Sequence, residues 1–193
     1  DDYVRRLFDG MASSFDMVLL ERLNYQAPKL VADALAEVIG EPKGELDVLD
    51  AGCGTGLCAP YLRPFARALT GVDLSPGMIQ KAVMRGGYDH LHIGELTAYL
   101  ENSPRAFDVI ASADTLVYFG ALDAVSRAAP GALRPGGWFV FTVERHEEDA
   151  DYVIRPHGRY THGGNYVRRV LTEAGFEDVN LTPVVLRMEV GEE

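Results

Sequence analysis

The sequence contains few cysteines and no long apolar run, and each shortage narrows the kind of protein it can be. Cys53 and Cys58 are the two cysteines, and they do not form a Cys-x-x-Cys pair, so a zinc site is not expected. So few cysteines are usual in the reducing cytoplasm, which is the predicted location. No apolar run reaches the ~18 residues that a membrane span needs, and no signal peptide is visible. We therefore expect neither membrane insertion nor secretion.

Positive charge is also scarce. Lysine and arginine number 18 against 29 aspartates and glutamates, which gives a formal net charge of -11. An acidic surface repels phosphate backbones, so a nucleic-acid partner is not expected. Arg168 and Arg169 form a small candidate basic patch, although adjacent charges are more typical of an exposed helix face. No two of the five histidines stand at helical i, i+4 spacing beside an acid, so no metal site is predicted.

The chain does have enough hydrophobic residues, 47% of 193, to form one folded domain. Apolar residues recur at helical spacing early in the chain, so we expect residues 1–44 to form an N-terminal helical cover and residues 45–193 the core. Short apolar strands alternate with helices in the core, which predicts an α/β fold with a mainly parallel sheet and helices on both faces. The predicted strands are 46–51, 69–73, 90–93, 107–112 and 138–143, with an extended segment at 179–190. The predicted helices are 28–39, one after the turn at 52–56, one from 75, then 122–133 and 165–173.

A buried strand leads into the glycine-rich turn at 52–56, the segment that says most about chemistry. Alternating glycines let the backbone approach a ligand, and the helix expected next would point its N–H groups at that ligand. The third glycine of a GxGxxG dinucleotide fingerprint would fall at Leu57, so the GxGxG spacing opposes an NAD site. Asp50 precedes the turn, where a carboxylate would repel a pyrophosphate and would suit a ligand with an ammonium group.

Asp73 is the second anchor, because it ends the second predicted strand. A carboxylate at that position can accept hydrogen bonds from both hydroxyls of a ribose. The alternative is an N-cap for the helix that begins near Ser75, a role that Ser75 can fill by itself.

These segments occur together in a known family. Residues 48–56, 71–78 and 133–137 resemble the motifs of class I S-adenosylmethionine (SAM)-dependent methyltransferases, which have a Rossmann-like fold, and the resemblance spans about residues 46–145. It implies SAM as the methyl donor and S-adenosylhomocysteine (SAH) as the product. It also implies three groups of contacts: to the methionine end and the sulfonium, to the ribose, and to the adenine. The residues implied are Asp50, Ala51, Gly52, Cys53, Gly54, Gly56, Asp73, Leu74, Ser75, Met78, Glu95, Leu96, Ser112, Ala113 and Asp114.

A narrower resemblance lies in the flanks. Residues 3–9, 15–16, 23–25 and 158–160 are similar to bacterial methyltransferases that can follow a tetratricopeptide-repeat region. No such repeat is visible in this sequence, so a repeat region would lie upstream of Asp1. In that group the carboxyl end normally adds a final strand, and residues 177–190 could form one long strand or two.

Methyl transfer needs a dedicated base only when the acceptor must lose a proton, so catalytic residues are hard to predict. Tyr118 follows the fourth predicted strand and is either a catalytic group or a core tyrosine. Glu144 is either a catalytic group or a carboxylate paired with Arg145 or another cation. A polar loop before the last helix could be a substrate lid, although its histidines are more often merely solvated. The remaining catalytic candidates are His157, Tyr160 and His162.

The N-terminal helices would cover the cofactor, and Tyr3, Arg6 and Phe8 either contact a ligand or simply pack on the sheet. The main functional prediction is transfer of a methyl group to a small-molecule or protein acceptor. The alternative is a non-catalytic regulatory domain that binds SAM or SAH. An NAD-dependent reductase is opposed by the glycine spacing.

Overall fold

The computed structural model describes residues 2–11 and 25–186, and its centre is a five-stranded parallel sheet. The strand order is β3-β2-β1-β4-β5, and every neighbouring pair is parallel. The strands are β1 (Leu46–Ala51), β2 (Ala66–Asp73), β3 (His90–Ile93), β4 (Phe107–Ser112) and β5 (Leu133–Phe141). The helices are α1 (Asp2–Met11), α2 (Ala27–Ile39), α3 (Ala59–Leu62), α4 (Pro76–Arg85), α5 (Leu96–Glu101), α6 (Asp123–Ala132) and α7 (Gly164–Glu173). The predicted α/β fold with a parallel sheet is confirmed.

Helices cover both faces of the sheet because the side chains of each central strand alternate between two cores. Val48 faces a cluster built with α2 and α3, which includes Leu35 and Leu62. The next residue, Leu49, faces the opposite cluster, built with α5, α6 and α7. Val48 and Leu49 are both fully buried. The near-continuous apolar character of β1 therefore follows from its position between two helical layers.

The helix boundaries follow local capping rules. Ser75 caps α4, since its Oγ accepts a hydrogen bond from Met78 N at 3.1 Å and Pro76 occupies the first helical position. At the end of α7, Phe176 N donates to Leu171 O and Gly175 N donates to Thr172 O, with Gly175 at φ +100°. This is a Schellman arrangement, and it confirms that Gly175 ends the last helix.

Residues 144–163 fold differently from the prediction. The expected polar loop is a second, three-stranded sheet of order β6-β8-β7. Its strands are β6 (Glu144–His146), β7 (Tyr152–Ile154) and β8 (Tyr160–Gly163). They are only three or four residues long, too short for the alternating pattern that identifies a strand in a sequence.

Three further boundaries needed correction. The helix after the glycine turn is only the four-residue α3, and β5 begins five residues before the expected start at 138. Pro135 fits inside β5 because that strand lies at the edge of the sheet. Residues 179–190 were expected to be extended, but residues 179–186 form no strand. This segment is joined to the residue before α2 by one backbone hydrogen bond, from Gln26 N to Leu186 O at 2.8 Å. Residues 187–190 lie outside the described residues.

The N-terminal cover is described in part. The helix expected at 28–39 is confirmed as α2, which buries Val31 and Leu35 in the core. Residues 12–24, which carry part of the predicted helical pattern, lie outside the described residues. The side chain of Tyr3 is not described either. The division of the chain at residue 44 into cover and core remains a prediction. Over residues 2–11 and 25–186, no helix has both the length and the apolar character to cross a membrane.

Candidate functional site

A cavity of about 500 Å³ opens at the carboxyl ends of β1, β2 and β4. This is the edge where open parallel sheets bind ligands, and the volume lies within the range of small-molecule sites. Eleven of the predicted cofactor residues line it: Gly52, Cys53, Gly54, Asp73, Leu74, Ser75, Met78, Glu95, Leu96, Ala113 and Asp114. The other four do not, since Asp50, Ala51, Gly56 and Ser112 lie behind the wall.

The glycine turn needs glycine for two separate reasons. Gly52, Gly54 and Gly56 have φ values of +79°, +52° and +89°, a region that other residues rarely adopt. At Gly52 a Cβ would also lie 2.2 Å from Thr115 Oγ1, whereas a Cβ at Gly54 would meet nothing within 4 Å. The loop after β4 therefore packs directly on Gly52 through Thr115. Gly54 has open space beside it and lines the cavity.

Asp50 is fully buried behind this turn. Its Oδ2 accepts a hydrogen bond from the Tyr88 hydroxyl at 2.6 Å, and its Oδ1 has no hydrogen-bond partner among the described residues. Burial raises the pKa of Asp50 to about 7, although the Tyr88 hydrogen bond works in the opposite direction. Direct contact of Asp50 with an ammonium group stays a prediction.

Asp73 lies at the base of the cavity and is already held by the backbone. Gly54 N donates to its Oδ2 at 2.9 Å, and Ser75 N donates to its Oδ1 at 2.8 Å. Burial raises the pKa of this carboxyl, and the two N–H groups oppose the rise. Each oxygen keeps a second lone pair, so the carboxylate can still accept two hydroxyl hydrogen bonds from a ribose.

The wall beyond Asp73 combines an apolar slot with a second carboxylate. Met78 and Leu96 are buried there, and Leu74 is partly buried. Glu95 caps α5, because its oxygens accept hydrogen bonds from Thr97 N at 2.9 Å and Ala98 N at 2.7 Å. The predicted hydrogen bond from an adenine amine would therefore go to a carboxylate whose two oxygens already accept backbone hydrogen bonds.

The end of β4 forms the opposite wall. Ser112 is fully buried and donates to Ala51 O at 2.8 Å, so it joins two strands and does not face the cavity. Asp114 has φ +56°, uncommon for a residue other than glycine, and its N–H donates to Thr142 Oγ1 at 2.8 Å. This conformation turns the chain over the cavity and brings Ala113 and Asp114 into its lining.

Of the catalytic candidates, only Tyr118 lines the cavity. Its ring packs edge-to-face on Phe8 of α1, with centroids 5.0 Å apart. Arg6 is exposed and does not line the cavity, so Phe8 is the predicted N-terminal contact that the structure places there. Tyr160 is partly buried in β8 outside the lining, against Tyr152 at 6.0 Å between ring centroids.

One of the two histidines expected to be solvated loop residues, His162, differs from that expectation. His157 is exposed, and its Nε2 lies 3.7 Å from Glu144 Oε2. His162 is buried in β8, its Nε2 lies 3.0 Å from both Phe119 O and Gly120 O, and burial lowers its pKa. The expectation that His162 is solvated is therefore wrong: the side chain fixes the loop that forms part of the cavity wall.

Arg159 is a cavity residue that was predicted only as part of a flanking motif. It lines the cavity from the start of β8 and forms an ion pair with Glu144, with both side chains less than one fifth exposed. Glu144 therefore pairs with Arg159, whereas Arg145 pairs with the exposed Glu147. Thr115, Tyr25 and Pro28 also line the cavity, and nothing in their local sequence signals this.

The lining carries an excess of negative charge, because three carboxylates, Asp73, Glu95 and Asp114, stand against the two arginines Arg5 and Arg159. Such an environment favours a ligand with cationic groups over a polyphosphate. The described residues contain no group of three or more histidines, cysteines or acids arranged to hold a metal ion. Fold and cavity together define a Rossmann-like domain with a cavity of small-molecule size at the topological switch between β1 and β4.

Comparison with known proteins gives the family. A family model described as a methyltransferase domain matches residues 22–181, so the chain belongs to the methyltransferase domain family. Human methyltransferase-like protein 27 is 35% identical over 151 residues, which cover 75% of this chain and 59% of that protein. The ubiquinone biosynthesis O-methyltransferase of Paracidovorax citrulli is 29% identical over 128 residues, which cover 60% of this chain and 54% of that protein.

The fold comparison agrees. The DhpI–SAH complex structure superposes with a TM-score of 0.62 at 23% identity, covering 88% of this chain and 84% of that one. The predicted methyltransferase fold is thus confirmed. Nothing in these matches concerns tetratricopeptide repeats. The chain spans a little over half the length of the two curated relatives.

Proposed function

We propose that this domain binds SAM in the cavity and transfers its methyl group to a small-molecule or protein acceptor. The observation that carries the proposal is the arrangement of Asp73 and the glycine turn, with Gly54 N donating to Asp73 Oδ2 at the base of the cavity. The acidic lining supports a donor with ammonium and sulfonium charge, and the named relatives include methyltransferases.

In this proposal the residues of the chain position the donor and exclude water. Asp73 accepts hydrogen bonds from the ribose hydroxyls, and Met78 and Leu96 enclose the adenine. SAM supplies an electrophilic methyl group on a sulfonium, so the protein needs no nucleophile of its own. Gly52, Cys53 and Gly54 border the methionine end of the donor.

The acceptor binds at the end of the cavity lined by Tyr118, Arg159 and Phe8, beyond the turn after β4. Tyr118 is the candidate for accepting or orienting the proton of an acceptor, because its side chain carries a hydroxyl. Among the described residues it is also the only catalytic candidate that lines the cavity. Tyr160, His157 and His162 act on that end indirectly, through the second sheet.

The test is transfer of a labelled methyl group from SAM to a panel of small phenols, carboxylic acids and amines, and to a cell lysate separated into small-molecule and protein fractions. Label in one fraction identifies the acceptor class. Tyr118→Phe should lower kcat for an acceptor that loses a proton and leave SAH affinity unchanged. SAH binding with no transfer to any fraction would favour the alternative, a non-catalytic SAM- or SAH-binding domain.

Two further proposals rest on sequence arguments alone. The resemblance of the flanks to repeat-associated methyltransferases suggests that a repeat region upstream of Asp1 presents a protein partner. The low cysteine content supports a cytoplasmic location. The length of the native protein and its location in cells test these two proposals directly.

A further inference from the structure

Asp9 connects α1 to the turn that lines the donor end of the cavity. Its Oδ1 accepts a hydrogen bond from Ser75 Oγ at 2.5 Å and another from Gly77 N at 3.1 Å. These partners lie 66 and 68 residues away in the sequence, at the start of α4. A carboxylate is favoured at that position, because the first N–H groups of a helix carry partial positive charge.

Ser75 links this contact to the base of the cavity. It is 1% exposed, caps α4 through its Oγ, and donates its own N–H to Asp73 Oδ1 at 2.8 Å. Asp73 in turn accepts from Gly54 N at 2.9 Å. A continuous chain of hydrogen bonds therefore runs from α1, through Asp9, Ser75 and Asp73, to the glycine turn.

The same helix reaches the other end of the cavity. Val4 and Phe8 line it, and the Phe8 ring lies on Tyr118 with centroids 5.0 Å apart. Thus α1 crosses the cavity between the donor turn and the acceptor wall. The hydrogen bonds from Ser75 and Gly77 also hold the pKa of the Asp9 carboxyl below its usual range, so the contact favours the charged form.

We propose that Asp9 is a positioning residue that couples docking of α1 over the cavity to occupation of the Asp73 end by the methyl donor. The inference rests on the proposed function, since it takes the ligand at Asp73 to be SAM or SAH. A ligand that holds Asp73 and Ser75 in place stabilises the partners of Asp9. By linkage, the docked helix then strengthens ligand binding by the same coupling free energy. Differences in affinity between variants of one site appear mostly in the dissociation rate, so the ligand should leave more slowly when the helix is docked.

The experiment measures amide hydrogen exchange of residues 2–11 and the dissociation rate of SAH. It uses wild type, Asp9→Ala, Asp9→Asn and the matched control Asp2→Ala. Asp2 lies on the same helix, is exposed and pairs with Arg5 at 3.0 Å. Exchange of α7 serves as an internal reference, since that helix packs in the core cluster of α5 and α6 and contributes no residue to the cavity lining.

In wild type and in Asp2→Ala, SAH should slow exchange in α1. In Asp9→Ala, exchange without ligand should be about fivefold faster than in Asp2→Ala, SAH should no longer slow it, and SAH should dissociate about fivefold faster. Asp9→Asn should fall between, because its amide oxygen can still accept hydrogen bonds but carries no charge.

Equal exchange in α1 and equal SAH dissociation for Asp9→Ala and Asp2→Ala would overturn the role of Asp9 while leaving the proposed function intact. Failure of wild type to bind SAH at all would instead contradict the proposed function, and with it the coupling to a donor. The two failures are thus separated by the wild-type measurement.

Discussion

The two sheets build the two ends of the cavity in different ways. At the proposed donor end, the five-stranded sheet supplies backbone: three glycines with positive φ, and N–H groups that hold Asp73. At the proposed acceptor end, the small sheet acts through side chains. His162 holds the carbonyls of Phe119 and Gly120, and Arg159 pairs with Glu144.

This difference has a physical consequence. A turn whose ligand-facing groups are backbone atoms is fixed by the φ and ψ angles of a few residues, so it tolerates few substitutions. Its N–H groups therefore keep the same positions for one kind of ligand. A wall held by side chains from distant segments can change with each substitution, as binding loops on a rigid scaffold generally do. We therefore expect the donor end to fail abruptly when it is altered and the acceptor end to change by degrees.

The largest effect should come from Gly52→Ala. The new Cβ would lie 2.2–2.7 Å from the side chain of Thr115, at a φ of +79°. Overpacking and backbone strain together should cost about 3 kcal/mol or more in the free energy of unfolding, measured with urea. Gly54→Ala is the control, since it has positive φ but no atom within 4 Å of the new Cβ, and should cost about 1 kcal/mol. Equal costs for the two variants would show that Thr115 does not define the turn.

Asp50→Asn should stabilise the protein above neutral pH. Burial raises the pKa of Asp50 to about 7 from its usual 3.8, so the folded state binds an extra proton between those values. Stability from this group is therefore full below pH 3.8 and is lost as the pH rises through about 7. The variant should gain on the order of 2 kcal/mol at pH 8 and show a flatter stability profile from pH 5 to 8.

The matched variant for Asp50 is Tyr88→Phe. It removes the hydroxyl that donates to Asp50 and should destabilise the protein at pH 8, where the carboxylate is charged. Identical pH profiles for wild type and Asp50→Asn would show that Asp50 does not titrate in this range.

The smallest and most selective effect should come from Arg159→Ala. It removes Arg159 from the partly buried Glu144, which keeps His157 Nε2 at 3.7 Å, and should cost about 1 kcal/mol and raise KM for the acceptor. The control is Arg145→Ala, whose pair with Glu147 is exposed and should be worth less than about 0.5 kcal/mol. SAH affinity should be unchanged in both, measured by calorimetry. A loss of SAH affinity in Arg159→Ala would move this residue to the donor end.

The same contrast explains what the sequence could predict. Strands β1 and β4 were located residue by residue, because buried parallel strands are mainly apolar runs with clear breaks. The bounds of β3 were also correct, although that edge strand is largely exposed and its apolar pattern is weak. Ser75 was identified as the N-cap of α4 from the Ser-Pro pair alone. Asp73 and the glycine turn followed from spacing, since Asp73 ends β2 and the turn directly follows β1.

Apart from Tyr118 and Phe8, the proposed acceptor end could not be predicted in this way. The short strands β6, β7 and β8 carry no periodic pattern, and His162 is buried only because the second sheet packs against the loop at 119–120. Arg159 and Thr115 reach the cavity through contacts between segments far apart in the chain. Asp50 and Ser112 were placed at the correct strand ends, but the structure turns both behind the cavity wall.

The most direct test of the central proposal is a calorimetric titration of the wild-type chain with SAH, with Asp73→Ala and NAD as controls. The proposal predicts SAH binding on the order of micromolar Kd, weakened at least about tenfold in Asp73→Ala, and no heat from NAD. Absence of SAH binding, equal affinity in Asp73→Ala, or binding of NAD as tight as that of SAH would contradict it.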